Sequence, residues 1–246
     1  MSEDKHKGER IAKLMARSGL CSRRDAERWI GDGRVAVNGV MLNTPACLIG
    51  PGDRVTVDGR PLNGPDNTRL WLYHKPAGLV TTHKDEHGRG TVFEALPKSL
   101  PRVISVGRLD LNTEGLLLLT NDGGLARHLE LPSTGWIRRY RVRVLGQVDP
   151  AKLDTLKNGV TVEGIRYKPA EARLETDRKG ANNWIEIALQ EGKNREVRRI
   201  MESLDLRVNR LIRISYGPFR IENMPVGDVR EIQSAALKKT IPEYFS

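Results

Sequence analysis

The sequence predicts an α+β chain in two parts: a small α/β domain over residues 1–60 and, beyond a linker at 61–68, a larger domain over 69–246 with a mixed, mostly antiparallel sheet. Three observations predict this. Helical periodicity followed by hairpin signals is confined to the opening quarter, the stretch PLNGPDNT breaks the pattern with two prolines and little apolar content, and strand-like segments then alternate with short helices without a strict βαβ rhythm. A length of 246 residues is enough for two cores.

In the first part, Ile11, Leu14 and Met15 recur at helical spacing, with Arg10, Lys13 and Arg17 on another face. Gly19 closes that helix. Ser22 and Asp25 form a capping-box-like pair opening a second, which sets Ala26, Trp29 and Ile30 inward and Arg24 and Arg28 outward. Gly31 and Gly33 stop it. Val35 and Val37 alternate up to Asn38-Gly39, a pair suited to a two-residue type I′ hairpin, and Val40 and Leu42 begin the return strand. A further strand is expected over 54–57. In the second part, strands are expected at 70–73, 103–106, 115–120, 140–144 and 184–189, and a helix at 196–203.

The chain carries 41 Lys and Arg against 31 Asp and Glu, a net charge of +10, which favours a polyanionic partner. From Arg10 to Arg34 there are seven basic residues against Asp25, Glu27 and Asp32. Phosphate contact and a merely solvated amphipathic surface both fit that pattern. A second basic cluster gathers Lys193, Arg195, Arg198, Arg199, Arg207, Arg210 and Arg213, most of which are expected to face phosphates. The opening MSEDKHKGER is polar and the longest aliphatic run, 116–119, is too short to span a bilayer, so a cytoplasmic protein without a membrane partner is expected. Cys21 and Cys47 form neither a CxxC pair nor a metal set. His83 and His87 have a spacing compatible with zinc but sit in HKDEHGRG without cysteine support, so a solvated loop is expected and no metal site.

The run RIAKLMARSGLCSRRDAERWIGDGRVAVNG, continuing to GPGDRVTVDG, resembles the small RNA-binding domain named after ribosomal protein S-four. The resemblance implies that its two helices present arginines to structured RNA, here Arg17, Arg23, Arg24, Arg28 and Arg34. Farther on, VGRLDLNTEGLLLLTNDGGLA places Arg108 and Asp110 in a polar loop before an apolar strand. Taken alone, that aspartate reads first as the cap of a turn. The whole stretch, however, resembles the signature of the RNA pseudouridine synthases that modify ribosomal RNA. Three segments agree in order: YHKPAG at 73–78, the tyrosine segment at 136–144, and the basic segment EGKNREVRRI at 191–200. The nearest variant is the large-subunit type, on LYHKPAGLVTTHKDEHGRGTVFEALP, with the small-subunit type close to it.

The resemblance implies that Asp110 is the catalytic carboxylate, working without cofactor or metal to detach uracil and reattach it through carbon. It implies that Arg198 is the ion-pair partner of Asp110, that Tyr140 stacks on the target base, and that Arg108 fills the gap left by the extruded nucleotide. Leu211 is a candidate floor under the uracil. Lys193, Arg195 and Arg199 are expected to bind RNA, with Arg195 and Arg199 sharing a helix face and Arg198 pointing elsewhere. The implied partner is ribosomal RNA or an assembling ribosomal subunit, met by a monomer. Two other readings stay open on the residues alone: a binding protein that lost the reaction, and a metal-dependent nuclease or phosphatase, for which the chain offers no clustered ligands.

Overall fold

In the computed structural model, residues 8–176 and 182–245 are described; the polar opening at 1–7 lies outside them. The described residues divide into two compact units, one running to Thr68 and including the short segments Ser99–Val103 and Asn121–Gly123, the other made of the remainder from Arg69.

The first unit begins with β1 (Glu9–Arg10), α1 (Ile11–Arg17) and α2 (Arg23–Gly31) and continues through β2 (Val35–Val37), β3 (Val40–Met41), β4 (Leu48–Ile49), β5 (Val55–Val57) and β6 (Arg60–Pro61). The capping box forms: the Ser22 hydroxyl accepts from Asp25 N at 3.0 Å, and Ser22 N donates back to Asp25 Oδ2 at 3.3 Å. Asn38 and Gly39 both have positive φ, 51° and 82°, as a type I′ hairpin requires. The sheet order is β3-β2-β5-β6, and β1 pairs separately with β4. Ile11, Met15, Ala26, Ile30, Val35, Val55 and Val57 form the core, with Leu14 and Trp29 packed on it. Pro61, expected to open the linker, instead ends β6, where an edge position tolerates a residue without an N–H.

The second unit contains β7 (Leu70–Lys75), β8 (Ile104–Val106), β9 (Glu114–Thr120), α3 (Gly123–Glu130), β10 (Arg138–Leu145), α4 (Pro150–Thr155), β11 (Val160–Val162), β12 (Ile165–Tyr167), β13 (Glu171–Thr176) and β14 (Asn182–Leu189). It is completed by α5 (Glu196–Glu202), β15 (Arg207–Tyr216), β16 (Phe219–Arg220), β17 (Val229–Ile232), α6 (Ser234–Thr240) and α7 (Pro242–Phe245). Among the described residues one sheet of nine strands dominates, ordered β13-β14-β10-β15-β9-β7-β17, with β16 on β15 and β8 on β9. Its pairings are antiparallel except that of β15 with β9. The mostly antiparallel α+β reading therefore holds.

Leu116 to Leu119 are all fully buried, so the apolar run is a central strand covered on both faces. Leu116 and Leu118 join Leu70, Leu72, Leu125, Leu129, Leu237 and Ile241 in the main core, which fixes α3 and α6 against the sheet. At roughly 1.5–3 kcal/mol per buried leucine, this strand anchors whatever is attached to its start. What is attached there is the loop 107–113. Its neighbour β15 comes so close that a Cβ on Gly115 (φ +104°) would overlap the Arg213 backbone. Only glycine fits there.

His83 and His87 lie in an exposed loop, as expected, with His83 stacked on Phe93 at a ring-centroid distance of 3.5 Å. Arg207, Arg210 and Arg213, expected within the basic cluster, fall on the ten-residue strand β15, where Arg207 and Arg210 are exposed and Arg213 is buried. No helix among the described residues is long and apolar enough to cross a membrane.

Candidate active site

A cavity of about 780 Å³ opens in the second unit where the loop 107–113, β10, β15 and the segment 189–197 converge. Arg108, Asp110 and Thr113 line it from the loop, Arg138 and Tyr140 from β10, Leu211, Arg213 and Tyr216 from β15, and Glu191, Lys193, Arg195 and Glu196 from the basic segment. Asp110, Tyr140 and Leu211, separated by up to about a hundred residues in sequence, thus meet in one space. Strand pairing explains it: Tyr140 lies opposite Arg213, Val142 opposite Leu211, and β15 runs alongside the start of β9.

The Asp110 loop is held chiefly through its backbone. Lys75 is fully buried, and its Nζ donates to the carbonyls of Pro76 and Thr113 at 2.9 Å each, with longer contacts to those of Asp110 at 3.3 Å and Leu111 at 3.4 Å. Burial lowers this lysine to about 8, against the opposing pull of Asp110 and Glu114. Thr81 Oγ1 donates to the Leu109 carbonyl at 2.8 Å, Gly78 N donates to that of Leu111 at 2.8 Å, and Gly107 N donates to Glu130 Oε1 at 2.7 Å. With the backbone fixed from several sides, the Asp110 side chain has no structural task. Four carboxylates line the cavity; Glu130, Glu191 and Glu196 each accept a backbone N–H, at 2.7, 2.7 and 2.9 Å, whereas the described contacts give the Asp110 carboxylate no hydrogen bond.

Arg198 does not form the expected direct ion pair. Its Nη2 donates to the carbonyl of Asn112 at 2.9 Å, two residues beyond Asp110. Burial, then the nearby Arg195, lower its guanidinium, while the charge of Asp110 acts in the opposite sense. Arg198 therefore acts on the loop backbone and on the electrostatics around Asp110, from half-buried α5.

Tyr140 is 9 % exposed, with its side chain on the cavity side of β10. Leu211 lies on the neighbouring strand and also lines the cavity, so an aromatic and an aliphatic surface face the Asp110 loop. Sequence reasoning placed Arg213 only in the basic cluster and missed its position in the cavity wall, where it is 3 % exposed, donates through Nε to the Leu116 carbonyl at 2.7 Å, and lies 5.2 Å from the Tyr216 ring centroid. Arg138 stacks over the other side of the cavity wall, 4.6 Å from the same ring centroid, and donates to the Tyr216 hydroxyl at 2.8 Å. It missed the tethering role of Lys75 too, although the residue lies in the YHKPAG segment. A lysine ending an otherwise apolar strand, followed at once by proline, was the available signal.

The basic residues divide by partner. Arg108 and Arg195 are exposed at the cavity with no ion pair among the described residues, and Arg195 adopts the left-handed region at φ 51°. Lys193, expected to meet RNA, pairs with Glu191 at 3.1 Å and donates to the Arg166 carbonyl at 2.5 Å. Arg199, also expected to meet RNA, faces Tyr167, Glu163 and Glu202, which raise its guanidinium above the ordinary value; it does not line the cavity. Arg210 makes a bidentate pair with Glu114 at 2.8 Å. Lys193, Arg198, Arg210 and Arg213 thus each have an acidic or carbonyl partner within the protein.

In the first unit, Arg17 pairs with Glu9 at 3.3 Å, Arg28 with Asp25 at 2.9 Å, and Arg34 with Asp58 at 2.6 Å while lying 4.5 Å from the Trp29 ring centroid. Arg23 and Arg24 open α2, are exposed, and carry no ion pair among the described residues. They are the two arginines of the expected set whose charge is open to a ligand.

Residues 69–203 match the family model described as RNA pseudouridylate synthase. The chain belongs to the RNA pseudouridylate synthase family. Residues 9–55 match the S4 domain model. Among relatives of this synthase, the uncharacterized RNA pseudouridine synthase of Rickettsia felis is 49% identical over 94% of this chain and 100% of that protein. The ribosomal large subunit pseudouridine synthase B of Haemophilus influenzae is 42% identical over 94% of this chain and 66% of its own length; that of Pseudomonas aeruginosa is 42% identical over 92% and 60%. A crystal structure of a pseudouridylate synthase shares the fold, with a TM-score of 0.67 at 23% identity over 94% of this chain and 99% of that one.

Proposed function

We propose that this synthase converts one uridine of large-subunit ribosomal RNA to pseudouridine, with Asp110 as the reacting carboxylate. The observation that carries the assignment is the freedom of the Asp110 carboxylate in a cavity where the other three carboxylates hold backbone amides. The large-subunit substrate rests on the named relatives of Haemophilus influenzae and Pseudomonas aeruginosa. A ribosomal substrate, free or in an assembling subunit, would put the enzyme in the cytoplasm.

The reaction is an isomerisation. The bond from the ribose C1′ to uracil N1 breaks, a bond from C1′ to C5 forms, the C5 proton leaves to solvent and N1 takes one up. Nothing is oxidised or reduced, so the residues need supply only a nucleophile or base, a held base and a dry pocket. Asp110 is the first; Tyr140 and Leu211 supply the surfaces for the second. A base inside a helix cannot reach this cavity, so the nucleotide must be extruded at a cost of roughly a few kcal/mol of stacking. Arg108 at the mouth is suited to occupy the gap, and Arg195 to hold backbone phosphate. Arg23 and Arg24 are suited to grip a stem through its phosphates, leaving Arg198 to keep the Asp110 loop in position.

Ribosomal RNA labelled with tritium at uridine C5 tests this directly. The wild type should release tritium and Asp110→Asn should release none. Equal release by both proteins rules out Asp110 as the reacting group.

A further inference from the structure

One wall of the cavity contains two carboxyl groups side by side. Glu196, the first residue of α5, is only 4 % exposed; its Oε2 accepts from Lys193 N at 2.9 Å, and its Oε1 is buried without a hydrogen-bond partner. Glu191 lies within hydrogen-bonding reach of it, with its own oxygens engaged by Lys168 N at 2.7 Å and Lys193 Nζ at 3.1 Å. The charged groups around the pair are Lys193 from the loop, with its ammonium 5.4 Å from the Tyr167 ring centroid on β12, Arg199 beside Tyr167 on α5, and Arg138 and Arg195, which line the same cavity. Among the described residues only Lys193 is in ion-pair contact with the pair, and it is engaged with Glu191. Burying Glu196 as an anion beside a second ionised carboxylate costs both desolvation and repulsion.

We propose that Glu196 carries a proton at neutral pH and donates it from Oε1 to Glu191, and that this shared proton locks the 191–196 loop and the start of α5. Glu196 is then a positioning residue: it acts through Arg195, whose left-handed backbone needs a rigid surround, and through Arg198, two residues along the helix, which holds the Asn112 carbonyl of the Asp110 loop. The proton turns the one orphaned acceptor into a donor, so every polar atom of the pair is satisfied. Titration agrees: burial first, then Glu191, push Glu196 up to about 8, while Glu191 stays below the ordinary range despite its own burial, drawn down by Lys168 N and Lys193. Between these two steps the pair holds a single proton.

The consequence for turnover rests on the function proposed above, whereas the proton itself does not. Full-length protein labelled with ¹³C at glutamate side-chain carboxyls should show one resonance titrating near 8, missing from Glu196→Gln. Glu196→Gln should melt higher than the wild type by a margin that widens from about pH 4.5 to about pH 8, because over that window the unfolded chain has released a proton that the folded wild type retains. Glutamine keeps a donor at the same place, so it should stay within about twofold of wild-type kcat, while Glu196→Ala should fall roughly ten- to a hundredfold at similar KM. Glutamate resonances that all titrate below about 6, or glutamine and alanine variants that are folded and equally impaired, overturn the proposal. A wild type with no turnover on any RNA would sink the functional reading while the resonance and melting comparisons still decide the proton.

Discussion

Replacing Lys75 with methionine should separate activity from stability. The buried ammonium makes two hydrogen bonds of 2.9 Å to carbonyls, each worth roughly 1.5–3 kcal/mol because the donor is charged, so their loss removes about 3–6 kcal/mol. Against this stands the cost of keeping the charge in a dry site. A lysine lowered from 10.5 to about 8 bears about 3 kcal/mol of that cost, which methionine escapes. The net destabilisation expected is therefore only about 0–3 kcal/mol by urea unfolding at pH 7. Turnover should suffer more. Without the ammonium the carbonyls of Pro76 and Thr113 lose their common tether, and a displacement of the Asp110 loop by even about 1 Å is expected to lower kcat by roughly a hundredfold. The sign with pH is fixed as well. Below about 8 the lysine is charged in both folded and unfolded chains; from about 8 to 10.5 the folded protein sheds its proton first, so wild-type stability should rise relative to Lys75→Met across that window. A folded Lys75→Met enzyme with kcat within about threefold of wild type would refute the tether.

Arg198→Ala should lower kcat by roughly a hundredfold and leave KM nearly unchanged, since the guanidinium holds the loop carbonyl of Asn112 and does not line the cavity; a change confined to KM would move Arg198 to RNA contact. Gly115→Ala forces a side chain into the Arg213 backbone at φ +104°, and a loss of roughly 2–4 kcal/mol in chemical denaturation is expected; unchanged stability would mean that β9 and β15 can separate. The double variant Arg23→Ala with Arg24→Ala should weaken RNA binding by the full-length chain and reduce the slope of log affinity against log salt by about two. Arg34→Ala, which breaks the pair with Asp58, should chiefly lower thermal stability; the reverse pattern would reassign which arginines meet phosphate.

What was legible in the sequence was local. The Ser22–Asp25 box, the Asn38-Gly39 turn and the run 116–119 report their structure through neighbours a few residues away, and all three formed as read. The resemblance carried Asp110, Tyr140 and Leu211, which the fold brings to one cavity. The protein partners of the charges were not legible. Lys193 and Arg210 read as phosphate ligands because a run of cations reveals nothing about acceptors supplied by distant segments, here Glu191, the Arg166 carbonyl and Glu114. The direct ion pair of Arg198 with Asp110 failed for a related reason, since a displacement of two residues along a loop decides between a carboxylate and a carbonyl. Lys75 and Glu196 escaped notice because burial, which makes each of them matter, is a property of the assembled sheet.

The most direct test of the central claim is to map pseudouridine, by carbodiimide labelling and primer extension, in ribosomal RNA from cells lacking this chain after incubation with the wild type or Asp110→Asn. One new stop in large-subunit RNA with the wild type, and none with Asp110→Asn, is the result predicted. No new stop on free RNA or on immature particles, with both proteins still bound, would contradict it and leave a binding protein in its place.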